Sequence, residues 1–358
     1  MSSNKHAAKT VQGPDPVPST HAPAAPADDG LADEPTPDHC FLVAFWEEGD
    51  ATMMGVVRRF LESGDAESLD LSYLGPAGSE ELATVLRMTT PLSHFAFRFN
   101  MPEQLEPLMA VAPAFTRLTS LLLAAGADAM PAYAQLLARL NVTQLRSLHV
   151  TCGNGDPSDI SGPLVVLPAL ETLTVSFGRF PTTGMLPSSL LPPTLRRITL
   201  NKMEFSPAAW GAFAVHVAAP CLLDEIVFYD CTVYMAGVEY QVEKWLARWL
   251  KRGLRKLSFD GTTEHAASAL LRALPNTSSP VGVVLDIDSE LSMQTYLLFG
   301  AALASCRGVT ITLPPIDGDE SVGAEIQAMA TKYQIACRHQ SLHGRVHRLA
   351  LESPAHAA

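Results

Sequence analysis

Residues 145–150 read Leu145-Arg146-Ser147-Leu148-His149-Val150, with aliphatic side chains at the first, fourth and sixth places and polar ones between them. Alternation over the last four residues marks a half-buried strand, one side turned to a core and the other to solvent. The same spacing recurs, with aromatic substitutes, on both sides of this stretch. Before it stand Leu92/Phe95/Phe97 and Leu118/Leu121/Leu123; after it stand Leu170/Leu173/Val175, Leu195/Ile198/Leu200, Leu223/Ile226/Phe228 and Leu254/Leu257/Phe259. Weaker copies sit at Ala66/Leu69/Leu71, Gly282/Leu285/Ile287 and Cys306/Val309/Ile311. First positions are separated by 26, 26, 27, 25, 25, 28, 31, 28 and 24 residues, a constancy that identifies a repeat.

Between these strands the chain reads helical over residues 79–88, 101–112, 131–140, 207–217, 238–250, 263–274 and 291–305. In the fifth of these, Val242, Trp245, Leu246 and Trp249 share one face, which predicts that the indoles pack against the strand layer. Pro and Gly in 156–168 and 179–193 forbid a long helix, so those connections are expected to be extended or in short 3₁₀ turns. One strand-and-helix unit cannot bury its apolar edge alone, whereas stacked units can.

The Leu-x-x-Leu-x-Leu copies resemble the leucine-rich repeat superfamily over about residues 63–315. The family consensus adds Asn or Cys three residues after the last Leu. Asn100 and Cys231 occupy that place, while Gly126, Gly153, Gly178, Met203 and Thr262 depart from it. The resemblance implies an α/β solenoid, with parallel strands on a concave side and helices and irregular segments on a convex one. The expected organisation is a disordered Pro-rich tail (1–39), an N-terminal cap (40–62), about ten repeats (63–315), and a C-terminal cap with a basic, His-containing tail (316–358). The tail holds seven prolines and six acids against two lysines, too little large apolar surface to offset its ordering entropy.

If the fourth and sixth consensus positions point inwards, the residues between and beside them face the concave surface. Such arrays bind other proteins. The candidate partner contacts are a hydroxyl-rich band of His149, Thr151, Thr174, Ser176, Thr199 and Asn201, followed by Tyr229, Ser258, Asp260, Asp286 and Asp288 at an acidic C-terminal end.

Composition narrows the function. The chain has 358 residues, 47% apolar and 17% charged, and a net charge of -12. That balance suits a soluble protein with neither nucleic acid nor membrane as partner, since phosphate binding needs clustered Lys and Arg. No apolar run nears the roughly 20 residues of a membrane span, and Met1 to Pro14 has no secretory core, so the expected location is cytoplasmic. Six cysteines without a CxxC pair read as small buried hydrophobes. The polar leader and the seven Lys against eighteen Arg also resemble effectors injected by bacteria into a host cell.

No catalytic motif, cofactor or metal is expected. Val283 to Ser289 is similar to the DxD strand of haloacid-dehalogenase-type phosphotransferases, but only about seventy residues follow it. His339, His343 and His347 share a spacing of four that suits ligands on a helix, yet Gly344 interrupts it and Arg338, Arg345 and Arg348 repel a cation. A basic segment there suits docking on acidic surface. The expected function is therefore a monomeric, non-catalytic scaffold for a protein partner. The alternative is a substrate-recruiting subunit of a ubiquitin ligase, with residues 40–62 as a divergent adaptor-binding segment, although the Leu-Pro-led motif of the F-box family is missing.

Overall fold

The computed structural model describes residues 41–46, 51–73, 79–87, 92–99, 101–125, 129–140, 144–151, 167–177, 179–180, 191–205, 223–233, 246–260, 264–275, 277–288, 291–314, 320–342 and 346–354, with the single positions 164 and 213. Outside them lie the leader 1–39, most of the connections 156–168 and 179–193, the expected helix 207–217 apart from Phe213, and Val242 and Trp245. Asn100, Gly126, Gly153, Gly178, Thr262 and His343 also lie outside.

The repeat strands are β1 (Phe41–Trp46), β2 (Ser68–Tyr73), β3 (His94–Phe99), β4 (Ser120–Ala125), β5 (Ser147–Thr151) and β6 (Thr172–Ser176). They continue, with the two-residue strands β7 (Arg179–Phe180), β9 (Glu204–Phe205) and β11 (Thr232–Val233) between them, as β8 (Arg197–Asn201), β10 (Glu225–Tyr229), β12 (Lys256–Asp260), β13 (Ser278–Asp288) and β14 (Arg307–Leu313). A hairpin of β15 (Ala336–Leu342) and β16 (Val346–Glu352) ends the series. The result is a mixed α/β fold around an open sheet of thirteen strands in the order β1-β2-β3-β4-β5-β6-β8-β10-β12-β13-β14-β16-β15. Neighbours run parallel from β1 to β14; β16 then pairs antiparallel with both β14 and β15.

Register is set just ahead of each strand. The carbonyl of Ser93 accepts the N–H groups of Thr119 and Ser120 at 2.8 and 3.0 Å; that of Thr119 accepts Arg146 and Ser147 at 2.8 and 3.0 Å. Glu67, Arg146, Glu171, Arg196 and Asp224 repeat the arrangement with the next strand in line. Side-chain hydroxyls reinforce it, with Thr119 Oγ1 donating to Ser93 O at 3.0 Å and Thr194 Oγ1 to Leu170 O at 2.9 Å. In this register Leu69, Leu71, Phe97, Leu123, Leu148, Val150, Leu173, Val175, Ile198, Leu200 and Phe228 are all fully buried in one continuous core.

Helices cover that side: α1 (Ala51–Glu62), α2 (Ser79–Arg87), α3 (Glu106–Val111), α4 (Met130–Arg139), α5 (Glu264–Ala273), α6 (Met293–Leu303) and α7 (Glu320–Tyr333). Met54, Val57 and Leu61 of α1 are buried at helical spacing, as are Tyr133, Leu136 and Leu137 of α4. Leu246 and Trp249, in helical residues 246–251, are buried as their shared face predicts.

At the other end of three strands the chain turns through a left-handed residue, Phe177 (φ 54), Lys202 (φ 51) and Asp230 (φ 48). None is glycine, and bulky residues reach this conformation at a cost of about 1 kcal/mol. Each N–H donates at 2.8 Å to the next strand, to the carbonyls of Asn201, Tyr229 and Asp260, which offsets that cost. Two residues later the chain enters β7, β9 and β11, a second, three-stranded parallel sheet. Cys231, at the consensus Asn/Cys place, is buried and donates its thiol to Leu200 O at 3.1 Å. Burial pushes its pKa up to about 12, and that of Cys306 to about 11.

Within the expected N-terminal cap, Phe41 to Trp46 is a strand that extends the sheet by one member. The histidine spacing of four falls on antiparallel strands, with His339 on β15 and His347 on β16, where they pair with Leu349 and Ser341 in the ladder. A spacing of four fits both periods, 3.6 and 2. Leu173→Ala should cost about 2–5 kcal/mol in urea unfolding, because it opens a cavity in a closed core. Thr174→Ala, one residue on and half-buried, should stay within about 0.5 kcal/mol.

Candidate functional site

Strand alternation sends the side chains between the buried Leu, Ile and Val residues to the face away from the helices. Because the register is unbroken, they form straight rows. One row runs His149, Thr174, Thr199, Val227, Ser258 and Asp286; the next runs Thr151, Ser176, Asn201, Tyr229, Asp260 and Asp288. All eleven residues singled out in the sequence lie in these two rows.

The central part is hydrogen-bonded and nearly uncharged. His149 Nε2 lies 2.8 Å from Ser176 Oγ on the neighbouring strand, and Ser176 is 1% exposed. Burial, and then the positive charge of Arg98, lower the His149 pKa from its ordinary 6.5, so the ring stays neutral at neutral pH. Arg98 is itself paired with Asp70. Thr151 contributes through its backbone, whose carbonyl accepts the Tyr133 hydroxyl at 3.2 Å. Beside this band the left-handed corners present Phe177, 46% exposed, with Lys202 Nζ 5.2 Å from its ring centre. Tyr229 is exposed to a similar degree.

The C-terminal part is charged. Arg197 Nε and Lys256 Nζ each lie 3.4 Å from Glu225, and Lys256 Nζ also lies 3.5 Å from Asp286. Arg348 reaches in from β16, more than half a hundred residues further along the chain, and pairs with both Asp286 and Asp288. These side chains surround a shallow hollow of about 400 Å³ open to solvent, with Val227, Ser258 and Asp260 also in its lining. The Ser258 hydroxyl is buried there without a hydrogen-bond partner, and so is the Asn201 side-chain oxygen on β8. Asp260 is held above the usual carboxylate range by desolvation, and next by Asp288; Arg348 works the other way, while Asp286 and Asp230 add to the rise.

The acidic strand was legible as an acidic end of the face, but Arg348 was not assigned to it. Its signal is charge complementarity between a basic C-terminal segment and the paired aspartates, and nothing in local periodicity states which arginine meets which acid. The Asp286/Asp288 pair, similar in sequence to a phosphotransferase motif, is engaged by that arginine. Among the described residues, no three His, Cys, Asp or Glu side chains are grouped so as to hold a metal ion, and no helix is long and apolar enough to cross a membrane.

No model of a known protein family matches the chain, and no curated protein matches it.

A neutral, buried His149 makes stability depend on pH. Above about pH 6.5 the ring is neutral in folded and unfolded chains alike; below it the unfolded ring takes a proton that the folded one resists, so stability falls. His149→Gln should therefore lose less stability than the wild type between about pH 7 and pH 5, measured by urea unfolding at fixed ionic strength.

Proposed function

We propose that the chain is a leucine-rich-repeat solenoid that acts without catalysis, binding a protein partner on the open, concave face of its sheet. The observation that carries this reading is the pair of unbroken side-chain rows across β5 to β13. A face built this way is wide, rigid and chemically graded from hydroxyl-rich to charged, which suits contact with another folded surface better than enclosure of a small substrate. Tyr229 and Phe177 supply exposed aromatic anchors of the kind that dominate interface energetics. The repeat spacing, the Cys231 thiol at the consensus position and the helices behind the strands support the family reading.

Replacing Tyr229, Asp260 and Asp288 together by Lys places three positive charges along one row while leaving the buried positions intact. The immobilised variant should fail to retain the proteins that the wild-type chain retains, with the thermal midpoint used to confirm that both are folded. Unchanged retention by a folded variant overturns the proposal.

A further inference from the structure

Four carboxylates line the hollow between β10 and β16 (Glu225, Asp260, Asp286 and Asp288) against three cations, Arg197, Lys256 and Arg348. Every one of these groups except Asp260 has an ion-pair partner among the described residues. The site is therefore one positive charge short, and the deficit is localised at Asp260.

A second observation points the same way. Ser258 lies two residues before Asp260 on β12, on the same side of the strand, and is only 7% exposed. Among the described residues its hydroxyl has no hydrogen-bond partner, although a buried hydroxyl ordinarily has one. Across the ladder, Tyr229 is the register partner of Asp260, and Val227 that of Ser258. An apolar stem ending in a cation could lie along Tyr229 and Val227 with its charged head against Asp260 and Asp288.

We infer that this hollow is a receptor for one side-chain cation, the ammonium of a lysine or the guanidinium of an arginine, contributed by the protein partner. The inference rests on the reading of this face as a protein-binding surface and names the chemistry of one contact in it. The internal Arg348 shows what the acids accept: its guanidinium already bridges Asp286 and Asp288, leaving Asp260 and the second side of Asp288 for the incoming group. The Asp288 side chain is 48% exposed and the Arg348 side chain 15%, so the resident arginine forms the wall and the acid the open rim. A metal ion suits the place poorly, because the resident arginine and lysine engage the carboxylates it would need.

The test uses the full chain with ¹³C-carboxyl-labelled aspartate, titrated with N-acetyl-arginine amide, N-acetyl-lysine amide and, as an uncharged analogue of the first, N-acetyl-citrulline amide. Resonances are assigned from Asp260→Asn and Asp288→Asn. Either cationic amide should shift the Asp260 and Asp288 resonances saturably, with a dissociation constant on the order of millimolar for so small a ligand. The citrulline amide should not. In Asp260→Asn the constant read at Asp288 should weaken about tenfold, as expected for loss of a charge-assisted hydrogen bond. No saturable shift, or an equal shift with citrulline amide, overturns the inference. Saturation by a cationic amide, together with unchanged retention of proteins by the folded triple-Lys variant, upholds the cation site and overturns the wider reading of the face. No saturation, with retention lost in that variant, does the reverse.

Discussion

One backbone carbonyl ahead of each strand, shared between two consecutive N–H donors of the next repeat, holds the molecule in register. Seven carbonyls from Glu67 to Asp224 make this contact with nearly the same geometry. A slip of one residue at Thr119 would turn Leu148 and Val150 outwards and drive His149 into the core, and a slip at any other would do the same to its own strand. Core and open face are thus two readings of a single constraint. The aliphatic residues say which side is buried, and the shared carbonyls align that choice from strand to strand between β2 and β12.

Electrostatics divides the open face along its length. In the middle, the polar groups satisfy one another across neighbouring strands, as His149 and Ser176 do, and burial keeps the imidazole neutral. Towards β13 the same two rows carry charges, and cross-strand ion pairs among Arg197, Glu225, Lys256 and Asp286 link four adjacent strands. Half-exposed pairs of this kind add little to stability, commonly about 0–1 kcal/mol each. Their effect is rather to hold side chains in fixed positions around the hollow, with Arg348 brought in from the antiparallel hairpin.

The strand register could be read from the sequence almost residue by residue, because each copy of the Leu-x-x-Leu-x-Leu pattern pins both the alternation and its phase. What could not be read are features without that period. β1 has a continuous apolar run, which gives no phase, and its place in the sheet follows only from its pairing with β2. Helix α7 was not anticipated, because among its described residues Ile326, Met329 and Ala330 alone are buried, too few to mark a clear apolar stripe. The histidines of the last segment fit a helix as well as a strand. The contact of Arg348 with Asp286 joins positions sixty-two residues apart, beyond the reach of any local pattern. On the face, the eleven candidate positions follow from alternation alone, whereas the unpartnered Ser258 hydroxyl and the uncompensated Asp260 emerge only from the three-dimensional arrangement.

The left-handed corners at Phe177, Lys202 and Asp230 have a different kind of consequence. At each, the main chain makes the turn and its hydrogen bond, and the three equivalent places hold an aromatic, a basic and an acidic side chain. Such a position behaves like a socket on a circuit board. The wiring beneath it is fixed, and components of opposite sign occupy it at Lys202 and Asp230. A sheet with a row of such sockets along the rim of its open face can change its surface chemistry one residue at a time, with no change to the layers that keep it folded.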